Sequence, residues 1–136
     1  MFIYAVGGAH PYREPCQKII DRAGDGELVG EASVDLIQEF LHQRTRRTGD
    51  RAEAVRGAGL ISELCRLHDV EQRDLPLAYE LFVRHPSLDA RDALFAAVAQ
   101  NRGIAKILSS DRAFDDVSGI ERVDPADAAA VDALAR

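Results

Sequence analysis

An apolar run from Ala93 to Ala99 constrains the fold of this chain more than any other stretch. Asp89 precedes the run in the position of an N-cap and Gly103 follows it as a C-terminal stop, so the segment predicts a helix. Because this helix has no polar side to present to water, we expect it to be buried on most faces. The apolar residues from Ile104 to Leu108, interrupted only by Lys106, then predict a buried strand.

Two acids belong to this helix–strand unit. In a parallel sheet the strand runs antiparallel to the preceding helix and ends where that helix begins, so Asp92 and Asp111 should converge at one edge. Two carboxylates that meet there repel each other unless one is protonated or a cation bridges them. Asp115 would point the same way on a helical turn. Each acid also has a structural interpretation: Asp92 can complete a capping arrangement with Asp89, and Asp111 can begin an Asx-turn.

The bulk composition narrows the class of protein. A chain of 136 residues predicts a single domain around one core. The net charge of −6 argues against a broad electrostatic grip on nucleic acid, although not against a local one. We expect Cys16 and Cys65 to be small buried hydrophobes, because their spacing fits no metal site. Neither a membrane span nor a signal peptide is visible in the sequence, so we expect a cytoplasmic protein.

The rest of the chain alternates strands with helices, which indicates a parallel α/β sheet. Glu39 lies outside the apolar arc of its helix, and amphipathicity alone therefore favours a solvated position for it. The pattern predicts a strand at Met1–Val6, a helix from His10 to Ala23, a strand at Leu28–Ala32, a helix from Ser33 to Thr48, a helix over Ala52–Leu67, a short strand at His68–Glu71, a helix from Asp74 through Phe82, a turn or short helix over Arg112–Val117, a strand at Glu121–Val123 and a terminal helix from Pro125 to Arg136.

Four segments, in order along the chain, together resemble a PIN domain of the VapC-type toxin ribonucleases. GGAHPYREPC (Gly7 to Cys16) resembles a loop and helix of one VapC subgroup, and SVDLIQEFLHQR (Ser33 to Arg44) resembles the segment with the family's first internal acid. LDARDALFAAVA (Leu88 to Ala99) resembles the segment with the next acid. ILSSDRAFD (Ile107 to Asp115) resembles the strand, hydroxyl residue and acid that close the family's site.

The resemblance implies a fold, a site and an activity. The fold is an α/β PIN-like domain over residues 1–136, with a central, mostly parallel sheet flanked by helices on both faces. The implied activity is endonucleolytic cleavage of RNA, of the tRNA or rRNA class, with bound Mg²⁺ or Mn²⁺. The family also implies a homodimer and a cognate VapB-type antitoxin. The residues implied are Glu39, Asp92 and Asp111 as catalytic metal ligands, Asp115 as a further metal ligand, and Ser109 in support.

The beginning of the chain departs from the family pattern. The family opens with a strand that ends in a catalytic Asp, followed by an apolar helical turn like Met1–Val6, so the resemblance predicts a helix where the residue pattern predicts a strand. We follow the resemblance at this point. We therefore expect either a true start upstream of Met1 or a protein that has lost a strand and a ligand.

One other function is compatible with the residues, and a second fits them poorly. A degenerate PIN protein would bind antitoxin or RNA without cutting it. A receiver-like phosphoacceptor domain would need an aspartate at the end of a middle strand, and Leu28–Ala32 supplies none.

Overall fold

The computed structural model describes residues 1–135, which form two compact units. The first unit consists of Met1–Asp69 together with the described residues from Pro125 on, and the second is Val70–Asp124. None of the described helices combines the length and the apolarity needed to cross a lipid bilayer. The helices are α1 (Phe2–Val6), α2 (Arg13–Gly24), α3 (Val34–Thr48), α4 (Arg51–Leu64), α5 (Asp74–Arg84), α6 (Ala90–Asn101) and α7 (Ala128–Asp132), and the strands are β1 (Gly30–Ser33), β2 (Cys65–His68), β3 (Lys106–Leu108) and β4 (Glu121–Val123).

The first unit contains one parallel pair of strands, in which β1 lies beside β2 with Gly30 opposite Cys65 and Ser33 opposite His68. Ser33 also begins α3, because its Oγ accepts a hydrogen bond from the backbone N–H of Leu36 at 3.2 Å. Phe40 is buried between α3 and α4. A Cβ on Gly57 would come within 3.1 Å of the Phe40 ring, so glycine permits this close approach of the two helices.

The second unit is organised around α6. Ala93, Ala96 and Ala97 are fully buried, and the small side chains let α5 pack closely against this helix. Asp89 caps the N-terminus of α6, and Gly103 follows its C-terminus with a φ of +72°, a conformation that glycine adopts without strain. Strands β3 and β4 then pair in parallel, from Lys106–Glu121 to Leu108–Val123. The predicted buried helix followed by a strand is present, but the strand is shorter than the predicted Ile104–Leu108 and is not fully buried, because Lys106 is exposed and Ile107 and Leu108 are half-buried.

A buried ion pair ties the beginning of α5 to the end of α6. Asp74 is completely buried, and both of its carboxylate oxygens accept hydrogen bonds from the guanidinium of Arg102, at 2.5 and 3.1 Å. Asn101 Nδ2 and the backbone N–H of Glu71 donate to the same carboxylate, each at 2.8 Å. Although burial alone would raise the pKa of Asp74, these hydrogen bonds hold it at about 2. The acid is therefore ionised at neutral pH.

The predicted α/β class with parallel strands is confirmed. The strands described in residues 1–135 are three or four residues long and form two two-stranded parallel ladders, one in each unit. The assignment of residues 1–136 to a single PIN domain stays a prediction.

Several element boundaries need correction. Met1–Val6 contains the helix that the resemblance predicts and not the strand that the residue pattern predicts, because Phe2 and Ile3 pack against the Phe40 cluster from a helical turn. Helix α4 ends at Leu64 and not at Leu67. The strand predicted at His68–Glu71 is wrong, because the strand that follows this helix is Cys65–His68. The strand β2 begins directly at Cys65, where the backbone leaves the helix to pair with β1.

The remaining differences are small. Helix α2 begins at Arg13 rather than at His10, and α5 continues to Arg84. The terminal helix is short and continues as a 3-10 turn over Ala133–Ala135, while the predicted end at Arg136 lies outside the described residues. Cys16 is buried as predicted, whereas Cys65 is only half-buried because it lies on β2 and not inside a helix.

Candidate active site

Two acids lie at the N-terminus of α6. The Oδ1 atom of Asp89 accepts a hydrogen bond from the backbone N–H of Asp92 at 2.8 Å, so Asp89 is the N-cap of the helix. Asp92 follows in the first turn and is half-buried. Although the capping arrangement exists, it uses the carboxylate of Asp89 and only the backbone of Asp92. The carboxylate of Asp92 accepts no hydrogen bond from the part of the chain that the structure describes.

A third acid, Asp111, lies just beyond β3, on a turn with two local hydrogen bonds. The backbone N–H of Asp111 donates to Ser109 Oγ at 3.0 Å. Asp111 Oδ1 accepts from the backbone N–H of Ala113 at 2.9 Å and thereby caps the short 3-10 helix Arg112–Phe114. The Asx-type turn considered for Asp111 is therefore present, but it occupies one carboxylate oxygen. Among residues 1–135, no hydrogen bond uses the other oxygen of Asp111 or the hydroxyl hydrogen of Ser109.

The charges of these acids act on one another. Burial, followed by the carboxylates of Asp89 and Asp111, raises the pKa of Asp92 from its ordinary 3.8 to about 6, against the opposing charge of Arg91. Asp92 lies at the start of α6 and Asp111 follows β3, and the effect of one charge on the other agrees with the predicted convergence at one edge, which stays a prediction. A half-buried carboxylate without a hydrogen-bond donor, beside two like charges, is the environment that a bound cation relieves.

Asp115 has a different environment. Its carboxylate pairs with Arg122 of β4, which is largely buried, and the negative charges of Asp115 and Asp124 help to raise the pKa of that arginine. Arg122 Nη1 also donates to Asp124 at 3.2 Å and to the carbonyl oxygen of Ser109 at 2.9 Å. The ion pair therefore supports the turn that carries Ser109 and Asp111. Nothing in the sequence pattern predicts this role for Arg122, and the role of Asp115 as a metal ligand stays a prediction.

Glu39 belongs to the first unit, on α3. Its side chain is half-buried rather than fully solvated, and its Oε1 accepts a hydrogen bond from Gln43 Nε2 at 2.7 Å, one helical turn further along. This contact neither requires nor excludes a ligand role, so the assignment of Glu39 stays a prediction based on the resemblance.

Within Met1–Ala135 no three His, Cys, Asp or Glu side chains are arranged around a common point as metal ligands. The two acids whose charges interact, Asp92 and Asp111, nevertheless fit a hard divalent cation. Mg²⁺ is commonly held in proteins by one or two carboxylates, with water and substrate phosphate completing its octahedron. The donor set contains oxygen only, which favours Mg²⁺ or Mn²⁺ over softer metals.

Comparison with known proteins identifies the family. The PIN domain model matches residues 1–120, which is most of the chain and includes every candidate site residue named above. The chain belongs to the PIN-domain family. This PIN domain is 33% identical over 127 residues to the protein named Ribonuclease VapC7 of Mycobacterium tuberculosis, covering 92% of this chain and 87% of the relative.

Two further relatives agree with this assignment. The PIN domain is 33% identical over 125 residues to Ribonuclease VapC13 of Mycobacterium tuberculosis and to VapC ribonuclease Mb1869c of Mycobacterium bovis, covering 89% of this chain and 92% of each relative. No solved protein structure is significantly similar to the chain. The resemblance to VapC-type PIN domains that the four sequence segments indicate is thereby confirmed.

Proposed function

We propose that this PIN domain is a divalent-metal-dependent endoribonuclease and the toxin of a VapBC-type toxin–antitoxin pair. The names of its relatives support RNA cleavage, and the similarity extends over most of each chain. The observation that supports the proposal is the charge of Asp111, just beyond β3, acting on Asp92 in the first turn of α6, where the carboxylate of Asp92 is half-buried and accepts no hydrogen bond from the described residues.

Asp92 and Asp111 would hold Mg²⁺ or Mn²⁺, with Glu39 and Asp115 as the further ligands that the family resemblance assigns. When bound, the ion would activate a water molecule and stabilise the charge that develops on the scissile phosphodiester. Ser109 would orient a carboxylate or the water through its hydroxyl, because its backbone is fixed by Arg122 and its Oγ by Asp111. Asp115 would contribute by holding Arg122, and through it the turn that carries Ser109.

The same site suggests the partners. The substrate would be RNA of the tRNA or rRNA class, and the inhibitor a VapB-type antitoxin whose basic segment pairs with these carboxylates. The family further suggests a homodimer and a cytoplasmic location. A cluster of acids attracts an arginine side chain more readily than an RNA phosphate, so RNA would need the metal to bind at this point.

The test is cleavage of total RNA in Mg²⁺ or Mn²⁺, with EDTA as the control. Asp92→Asn and Asp111→Asn keep the size of each side chain and remove its charge, and we expect each to lower the cleavage rate by roughly two orders of magnitude or more. Asp116→Asn is the matched control, because this exposed acid lies in the same segment and has no partner among the described residues. Its cleavage rate should match that of the unaltered chain.

The outcomes separate an enzyme from a binding module. Retained cleavage in Asp92→Asn would refute the assignment of the site. If the unaltered chain is folded by circular dichroism, binds RNA and cleaves none in either metal, the domain is a degenerate PIN protein and the enzymatic proposal fails. Glu39→Gln tests the resemblance alone, since a loss of cleavage in a folded variant is expected only if Glu39 is a ligand.

A further inference from the structure

Three aromatic rings cluster in the first unit, and none of them belongs to the residues proposed for the active site. Tyr4 of α1 stacks on His10 with ring centroids 4.4 Å apart and on Tyr12 at 5.5 Å, while His10 and Tyr12 lie 5.9 Å apart. The three rings are within 29° of parallel. The three rings therefore form one stacked cluster, in which His10 is exposed while Tyr4 and Tyr12 are half-buried.

Two hydrogen bonds to or from the backbone hold the residues around the cluster. The backbone N–H of Tyr12 donates to Nδ1 of His10 at 3.2 Å, so in this arrangement the hydrogen of the imidazole is on Nε2. Gln17 of α2 donates to the carbonyl oxygen of Ala5 in α1 at 2.9 Å, which joins the two helices that flank the cluster. His10 is nevertheless exposed, so the cluster can be reached from solvent at this residue.

We propose that Tyr4, His10 and Tyr12 form a stacking platform for an unpaired base of the RNA that this domain cleaves. The proposal rests on the proposed ribonuclease function and adds a positioning site to it. Nearly parallel rings with an exposed member, His10, match the flat face of a base, and proteins commonly bind single-stranded RNA by stacking its bases on such rings. The exposed Nε2–H of His10 supplies a hydrogen-bond donor at the rim of the platform.

The charge beside the platform favours RNA over a peptide as its occupant. Arg13 follows Tyr12 directly as the first residue of α2, it is exposed, and no acid in residues 1–135 pairs with its guanidinium. The chain carries a net charge of −6, so a phosphate backbone can be held only where a cation is locally free. A base on the rings would place its own phosphate within reach of such a cation.

Tyrosine fluorescence offers a direct measurement. The chain has three tyrosines and no tryptophan, and Tyr79 belongs to the other unit, so Tyr79→Phe leaves only Tyr4 and Tyr12 as emitters. We would titrate this variant, in EDTA so that no RNA is cut, with a short oligouridylate and with an abasic oligomer that carries the same phosphates. The proposal requires quenching by the oligouridylate and little by the abasic chain. Equal quenching by both, or quenching by an arginine-rich peptide and not by RNA, would overturn it.

Two substitutions test the platform in the cleavage reaction. His10→Ala removes an exposed ring, and Tyr12→Leu removes planarity but keeps apolar bulk, while Tyr12→Phe is the matched control that keeps the ring. We expect the first two to raise the KM for single-stranded RNA about 5- to 100-fold and to leave kcat nearly unchanged, because stacking contributes to binding. Tyr12→Phe should change neither constant by more than about twofold.

These results are distinguishable from a failure of the enzymatic proposal. If no variant cleaves RNA but the fluorescence still separates oligouridylate from the abasic chain, the platform is upheld and the enzyme is not. If cleavage is normal and His10→Ala and Tyr12→Leu, both folded by thermal melting, keep the KM of the unaltered chain, the platform is refuted and the enzyme is upheld.

Discussion

The buried pair of Asp74 and Arg102 should dominate the stability of the second unit. Asp74→Asn removes the negative charge, while the Arg102 side chain, which is only 8% exposed, keeps its positive charge. The carboxylate of Glu71 still pairs with Arg102, at 3.1 Å from Nη2. Breaking a buried ion pair by removing one partner typically costs about 3–5 kcal/mol of the free energy of unfolding, because the other charge stays desolvated. We expect a loss of that size.

Part of this free energy depends on pH. The pKa of Asp74 is lowered from its ordinary 3.8 to about 2, so its ionisation stabilises the folded chain above pH 3.8, and this contribution disappears as the pH falls towards 2. A shift of nearly two units corresponds to about 2 kcal/mol. The rest of the expected loss comes from Arg102, whose charge stays buried after its main partner has been neutralised.

Urea unfolding followed by circular dichroism measures the effect. With a slope of about 2 kcal/mol per M, the midpoint of Asp74→Asn should fall by about 2 M at neutral pH. Arg73→Ala is the matched control, because its ion pair with Glu71 is of the same kind but exposed, and exposed pairs contribute about 0–1 kcal/mol. The double variant Asp74→Leu with Arg102→Met should be less destabilised than the sum of its parts, since no charge remains buried.

The reasoning fails under either of two results. A midpoint for Asp74→Asn within the range of Arg73→Ala would mean that the buried pair contributes no more than a surface pair. A loss of stability in the unaltered chain between pH 4 and 2 that is unchanged in Asp74→Asn would mean that another acid is responsible for the acid sensitivity.

Three further substitutions test the second unit. Asp111→Asn should lower the pKa of Asp92, measured by carboxyl NMR in metal-free buffer, because one of the charges that raise it is gone; an unchanged pKa would contradict their convergence. Gly103→Ala should cost about 1 kcal/mol in urea unfolding, because its φ of +72° strains any side chain although the space is open. Ala96→Leu should cost about 1–3 kcal/mol or more, since its site is fully buried, and a neutral result would show that α5 and α6 can separate.

The parts of the fold that depend on neighbouring residues could be predicted from the sequence. The residues that predict helix α6 lie within it or next to it: Asp89 is the N-cap, the apolar run has no polar side, and Gly103 follows the C-terminus. Met1–Val6 shows the limit of such signals, because a short apolar segment satisfies a strand and a helix equally well. The resemblance to PIN domains correctly predicts a helix in this segment.

Features that depend on distant residues could not be predicted. The strand β2 begins at Cys65 because Gly30 to Ser33 lies beside it, and no glycine or proline marks the end of α4. Within the site, the predicted convergence of Asp92 and Asp111 follows from the direction of a helix and a strand that are adjacent in sequence. Arg122 carries no local signal, since its importance arises only when β4 brings it to Asp115 and Ser109.

The division of the chain also implies an order of events during synthesis. The second unit, Val70–Asp124, is one uninterrupted segment, so it can assemble as soon as it has left the ribosome. The first unit also includes residues that follow the second unit in the chain, where Arg22 of α2 pairs with Asp132 at 2.8 Å and Val131 is buried. Although its first 69 residues are made earliest, this unit can be completed only after Val131 and Asp132 have been made. Premature termination after Asp124 would release a chain whose later-made unit is whole and whose earlier-made unit is not.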